Sequence, residues 1–363
     1  MDQAGRERIR RGCTRFLIGH YPQHPQQALK ALAETVDPDA QADHYGGGEV
    51  ITQFEQEIAQ LLGKEAAVFM PSGTMCQQIA LRIWTDRQHI PRVAFHPTCH
   101  LELHEYQGYQ SLHHLQRVLV GHRDRLMTLD DLQAVAEPLG ALLLELPQRE
   151  IGGQLPSWDE LTALCQWARE RGIPTHLDGA RLWQCQPFYQ RDYADIAALF
   201  DSVYVSFYKD LGGLAGSMLA GPAEFIAEAR IWQRRHGGNL IRLYPYVLSA
   251  RQGLREHLGR MAAYCAKARD IATALQSLPQ IEIVPSPPHT NMMHLFLQGE
   301  REHLLAAALA TAEQTGIWMF ANLMPTALSS YHKLEFTVGD ATLDVKNEEI
   351  QALFQALFTP ANT

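Results

Sequence analysis

Val203-Tyr204-Val205-Ser206-Phe207-Tyr208-Lys209-Asp210-Leu211-Gly212-Gly213-Leu214-Ala215-Gly216 reads as a buried strand that ends near a lysine and runs into a glycine-rich turn. Upstream, Thr175-His176-Leu177-Asp178-Gly179-Ala180-Arg181 has the same form, with an acid at the strand end. Strand carboxyl ends line the ligand crevice of an open α/β sheet. Burial there lowers a lysine pKa and makes its amine a better nucleophile. A lysine closing one strand and a carboxylate closing the preceding one form the pair that pyridoxal 5'-phosphate (PLP) needs. The amine carries the cofactor's aldehyde carbon, and the carboxylate keeps its ring nitrogen protonated. Plainer readings stand beside these: Lys209 as a strand cap reaching solvent, Asp178 as a helix cap, and Arg181 as half of a surface ion pair.

Outward from this pair the same alternation repeats. Apolar runs at 65–70, 93–95, 117–120, 141–146, 202–206 and 216–220 read as strands, and most are separated by helical patterns. Ser157-Trp158-Asp159-Glu160 has the form of a capping box. Such alternation predicts an α/β fold, a mostly parallel sheet with helices on both faces. Residues 246–276 read as one long helix. Strands near 281–284, 292–296 and 334–338 follow, with helices at 300–315 and 345–358. We therefore expect an N-terminal arm over 1–44 that packs with the small domain or a partner subunit, a large domain over 45–248, and a smaller α+β C-terminal domain over 249–363.

The bulk composition narrows the function. The chain has 363 residues, is 46% hydrophobic and carries a formal charge of −9. That suffices for a sizeable core and disfavours nucleic acid as the partner. Six scattered cysteines form no C-x-x-C pair, the start is polar, and no run is long and apolar enough for a bilayer. A cytoplasmic protein without a membrane segment is the expectation.

Two further motifs bear on a site. Ser72-Gly73-Thr74 lies between a strand and a helix start, where backbone N–H groups and hydroxyls favour a phosphate; an ordinary capped turn is the alternative. His96, His100 and His104 recur every four residues. Pro97 disfavours helix at His96 and no H-E-x-x-H is present, so no metal is expected. Hydrogen-bonded helix histidines, or a single ring (His100) stacked on a cofactor, are the competing readings.

In order along the chain, Tyr45-Gly46-Gly47, the run 62–75 through Pro71-Ser72-Gly73-Thr74, His100 with Glu105 and Gly108, His176 to Arg181, Lys209 to Ser217, and Gly237-Gly238 resemble the threonine aldolase / β-eliminating lyase family. The resemblance spans about residues 45–245. It implies a three-layer, PLP-transferase-like large domain of the aspartate-aminotransferase type (fold type I). It also implies roles. Lys209 would hold PLP, Asp178 the ring nitrogen, and Ser72, Gly73 and Thr74 the phosphate. His100 would stack on the ring, and Arg181 would sit near the ring oxygen and the substrate carboxylate. Arg234 or Arg242 would reach the phosphate. By the same analogy, Tyr45 and its glycine loop would reach a neighbouring site in a homodimer or homotetramer whose active sites lie at the dimer interface.

The departures cluster on the substrate side. The family's opening serine-aspartate-threonine segment is replaced by Leu17-Ile18-Gly19-His20-Tyr21-Pro22. The histidine after its mid-chain glutamate-asparagine-threonine run is missing from Glu145 to Gly153. Its C-terminal arginine gives way to Lys333-Leu334-Glu335, and the serine before the lysine to Tyr208. Arg149 and His20 are candidate replacement contacts for a small amino-acid substrate. The expected reaction is cleavage of a β-hydroxy-α-amino acid other than threonine to glycine and an aldehyde. β-Elimination, transamination or PLP binding without turnover are the alternatives.

Overall fold

The computed structural model describes residues 3–359. Residues 1–2 of the expected arm and 360–363 of the expected small domain lie outside the described residues.

Seven strands, all largely buried except the edge strand β3, pair into one sheet: β1 (Ala66–Met70), β2 (Arg92–Phe95), β3 (Gln116–Leu119), β4 (Ala141–Glu145), β5 (Thr175–Gly179), β6 (Ser202–Ser206) and β7 (Ser217–Gly221). Their order is β1-β7-β6-β5-β4-β2-β3. β7 is antiparallel to both neighbours, and the other pairs are parallel. Alternate residues of a strand point to opposite faces, so the inner strands of a doubly covered sheet are buried on both. On one face Val68, Val93, Phe95, Leu143 and Leu219 pack with helices Gly73–Gln88 and Ala223–Arg235, through Ile79, Ile83, Phe225 and Ala229. On the other, Phe69 meets Phe54 of helix Glu49–Leu61, and Phe54 meets Phe207 just beyond β6. These are the three expected layers.

The Ser157 cap forms as its spacing predicts. Its Oγ accepts from the Glu160 amide (3.3 Å), and its own amide donates to Glu160 Oε2 (2.7 Å). Asp43 does a comparable task that sequence inspection missed. It is fully buried; its Oδ1 accepts from the Leu243 and Tyr244 amides at the start of helix Tyr244–His257 (both 2.9 Å), and Oδ2 accepts from Gly46 (3.1 Å). The loop carrying Tyr45 is thereby pinned to a helix N-terminus.

The unit containing this sheet comprises His24–Ile151 and Leu155–Gly259. The other contains the chain up to Gln23, Gly152–Gln154 and the chain from Arg260 onward. It holds a four-stranded antiparallel sheet, in the order Met324–Pro325, Tyr331–Thr337, Met292–Gln298, Ile281–Val284, with helices Met261–Leu275, Arg301–Thr315 and Asn347–Ala356.

Two boundaries differ from expectation. The helix expected over 246–276 is two helices, Tyr244–His257 and Met261–Leu275, joined by a short 3-10 turn at Leu258–Arg260, so the division falls at Gly259 and not near Ser249. The apolar periodicity continues across this turn, and only Gly259 marks it. The expected arm also divides. Residues through Gln23 belong with the C-terminal unit, where Arg15–Phe16 pairs in parallel with Ile317–Trp318 and Arg15 forks the Glu349 carboxylate (2.8 and 2.7 Å). Residues 24–44 belong with the large unit.

Candidate active site

The carboxyl ends of β4, β5 and β6, together with the N-terminus of helix Gly73–Gln88, enclose one pocket. Thr74, Gln77, His100, Glu105, Glu145, Asp178, Ala180, Arg181, Tyr204, Tyr208 and Lys209 line it. Of the residues singled out from sequence, Lys209, Asp178, His100, Arg181 and Thr74 therefore converge. Ser72 and Gly73 adjoin Thr74 at the helix start.

Lys209 follows β6 in a loop closed by the Phe207 amide on Gly216 O (3.1 Å) and the Gly213 amide on Phe207 O (2.8 Å). Gly216 has φ +110°, and a Cβ there would lie 2.2 Å from the Phe69 ring, so only glycine makes this return. Burial, then the nearby Arg181 charge, pushes the Lys209 amine below its usual range.

Asp178 is almost completely buried. Its Oδ1 accepts from the Ala180 amide (3.1 Å), and Oδ2 accepts from Gln77 Nε2. Gln77 Oε1 is buried with no partner, an acceptor left over on the pocket wall. His100 Nδ1 pairs with Glu105 Oε1 (2.9 Å), and Gln78 Nε2 donates to the other Glu105 oxygen (3.3 Å). The ring is thus oriented from behind.

At the helix start, Ser72 Oγ accepts from the Met75 amide (3.3 Å), so this hydroxyl serves the cap. The first-turn amides of Gly73 and Thr74 precede the helical ladder and suit an anion. Gly73 passes against Tyr204; a Cβ there would lie 1.9 Å from its hydroxyl.

The remaining sequence candidates fall elsewhere. Arg149 Nη1 pairs with Glu150 (2.9 Å) and approaches His104 Nε2 (3.4 Å), beside the pocket and not among its lining residues. Tyr45 is half exposed, with Arg234 over its ring at 5.8 Å. Arg242 is engaged by Asp43 O (2.6 Å). His20 belongs to the other unit, where its Nδ1 accepts from the Asp340 amide (3.3 Å). The three evenly spaced histidines share no partner: His96 pairs with Thr98 and Arg125 O, His100 with Glu105, and His104 with Glu150.

Gln77 and Glu145 were not singled out from sequence, although each left a signal. Gln77 is a polar residue on a helix whose neighbours Cys76, Ile79, Ala80 and Leu81 are all buried. Glu145 ends an apolar strand as Asp178 does, and the two stand opposite each other in register. Burial and the Asp178 charge push the Glu145 carboxyl up to about 7.

The β-eliminating lyase family model matches residues 27–300, and the chain belongs to that family. A solved structure from Listeria monocytogenes EGD-E, provisionally called an L-allo-threonine aldolase, is 42% identical, covers 98% of each chain and superimposes with a TM-score of 0.93. Aldolase vrtJ of Penicillium aethiopicum is 33% identical over 75% of this chain and 71% of its own length. Low-specificity L-threonine aldolase 1 of Arabidopsis thaliana is 25% identical over 76% of this chain and 79% of its own.

Proposed function

We propose that this protein is a PLP-dependent carbon–carbon lyase that cleaves a β-hydroxy-α-amino acid to glycine and an aldehyde. The observation that carries the reading is the convergence of Lys209, Asp178 and His100 on one pocket beside a helix N-terminus, in a chain of this family. The pocket's chemistry fits the cofactor. A buried carboxylate suits the ring N–H, the lysine amine suits the aldehyde carbon, His100 presents a ring face, and the Gly73 and Thr74 amides, with Ser72 at the cap, suit the phosphate. Bound there, PLP supplies an electron sink for the bond broken at Cα.

The chain's own residues do the rest. Asp178, held by two donors, would meet the ring nitrogen. His100, fixed by Glu105, would stack on the ring. Arg181 lines the same pocket and offers a bidentate contact to the substrate carboxylate. Arg149, beside the pocket, is a second-choice substrate contact, Tyr45 would serve only from a neighbouring subunit, and His20 has the weakest support of the four.

The relatives act as aldolases by name, and one of them is not named for threonine. With the rebuilt substrate stretches, this supports a β-hydroxy amino acid other than threonine. No described helix is long and apolar enough to cross a membrane, and all six cysteines are buried thiols, which supports a cytoplasmic protein. A homodimer or homotetramer, with exposed Tyr45 at the neighbouring site, completes the reading.

Product analysis tests it. Purified protein loaded with PLP is given a panel of β-hydroxy amino acids, and borohydride-treated samples are mapped by peptide mass. Glycine and aldehyde in equal amounts, with the reduced cofactor on Lys209, are expected. Keto acid with ammonia would move the enzyme to β-elimination, and an unmodified Lys209 would end the reading.

A further inference from the structure

The pocket holds two strand-end carboxylates, and only one has an obvious task. Glu145 and Asp178 are paired in register on adjacent parallel strands. Asp178 is committed to its two donors. Glu145 is held more loosely: Oε1 accepts from the Arg149 amide (3.2 Å) and Oε2 from Gln148 Nε2 (3.3 Å). Paired carboxyls in unlike environments divide acid–base labour between them.

The other candidate bases lining the pocket have other assignments, His100 being the ring stacked on the cofactor in the reading above. His100 Nδ1 and Glu105 hold each other, and Gln78 takes the second Glu105 oxygen. Tyr204 and Tyr208 are pushed above the usual phenol range, chiefly by burial. Lys209 is reserved for the cofactor aldehyde in the reading above. Glu145 remains, with Asp178, His100, Lys209 and Cys99 as the titratable groups that face it.

We propose that the Glu145 carboxylate is the base that takes the β-hydroxyl proton as the substrate's Cα–Cβ bond breaks. The assignment rests on the lyase reading given above. The proton moves from the hydroxyl to Glu145, and the O–H pair becomes the second bond of the aldehyde carbonyl. The Cα–Cβ pair stays with Cα, which then takes up one proton to become glycine. Glu145 gives its proton up in the same turnover. The balance closes without oxidant or reductant.

The test separates this role from a structural one. Glycine has no β-hydroxyl, so exchange of its α-hydrogen in D2O needs the cofactor site but not this base. Holoenzyme and the Glu145→Gln and Glu145→Asp variants are compared for phenylserine cleavage, for glycine α-exchange by NMR, and for cofactor absorbance after dialysis. In Glu145→Gln, kcat for cleavage should fall about 100-fold or more, the order general-base catalysis supplies. Exchange should stay within about threefold, and absorbance should be retained. Wild-type kcat should rise with pH through about 7, and the residual Glu145→Gln activity should lack that rise. Glu145→Asp should recover part of the cleavage. Cleavage and exchange falling together, cleavage left intact, or a pH limb that survives in Glu145→Gln would each overturn the assignment. A wild type that exchanges glycine but yields no aldehyde would refute the lyase reading, and this base with it.

Discussion

Replacing Asp178 by asparagine removes one charge from the pocket and little else. The side chains match in shape, and partners for the new amide are already in place. Its oxygen can accept from the Ala180 amide, now 3.1 Å from Asp178 Oδ1. Its nitrogen faces Gln77, whose Oε1 is buried without a partner and accepts once that amide turns over. One hydrogen bond is exchanged for another, so the folded protein should lose about 1 kcal/mol or less. The cofactor loses far more, because a charge-assisted bond to its ring N–H is worth about 1.5–3 kcal/mol. At about 1.4 kcal/mol per factor of ten, PLP should bind about 10- to 100-fold more weakly. At saturating PLP, kcat should still fall about 100-fold or more, because a neutral partner does not hold the ring nitrogen protonated. Thermal melting of the cofactor-free protein, PLP titration by absorbance, and kcat at saturating cofactor give the three quantities. A variant that melts, binds PLP and turns over like the parent would refute the reasoning, since Asp178 would then not face the ring.

Two other perturbations probe the scaffold. Gly73→Ala puts a Cβ about 1.9 Å from the Tyr204 hydroxyl, so the helix start must shift. Overpacking of this kind should cost about 1–3 kcal/mol in urea unfolding and weaken PLP binding. Adding Tyr204→Phe should restore part of both, and an additive double variant would show that the two residues do not touch. Acid should destabilise the protein through His176 and His113, both pushed down to about 4, chiefly by burial. Because the folded pKa lies below the unfolded one of about 6.5, the unfolded chain takes up more protons between those values, and stability is lost as pH falls through this window. Each should cost about 2 kcal/mol at pH 5 relative to pH 7. Urea unfolding at the two pH values, repeated on His113→Gln, should show a smaller difference in the variant.

What could be read from the sequence follows from how far apart the interacting residues lie. Lys209 and Asp178 were legible because strand, chemistry and turn are contiguous, and the parallel fold carries strand ends to one crevice by itself. The Ser157 cap was legible for the same reason, since its partner lies three residues on. Asp43 was not, because its acceptors serve amides 200 and 201 residues away, and nothing local distinguishes it from an exposed loop acid. The two-helix break at Gly259 was hidden because Tyr264, Cys265 and Ala268 prolong the apolar rhythm after the turn.

Glu145 is the instructive case. It closes an apolar strand just as Asp178 does, and the two are partners in register. Read singly, such a residue is ambiguous between a cap and a functional group. Read as a pair on neighbouring parallel strands, the two cannot both be ordinary caps. Two carboxylates side by side in a desolvated crevice repel, so one must be paired with a cation or hold a proton. A fold that keeps both has given them different work. Asp178 is met by the Gln77 amide from the helix that starts at the phosphate end and by its own turn, whereas Glu145 is met only by residues three and four positions on, which is why the proton-exchanging role proposed above falls to Glu145.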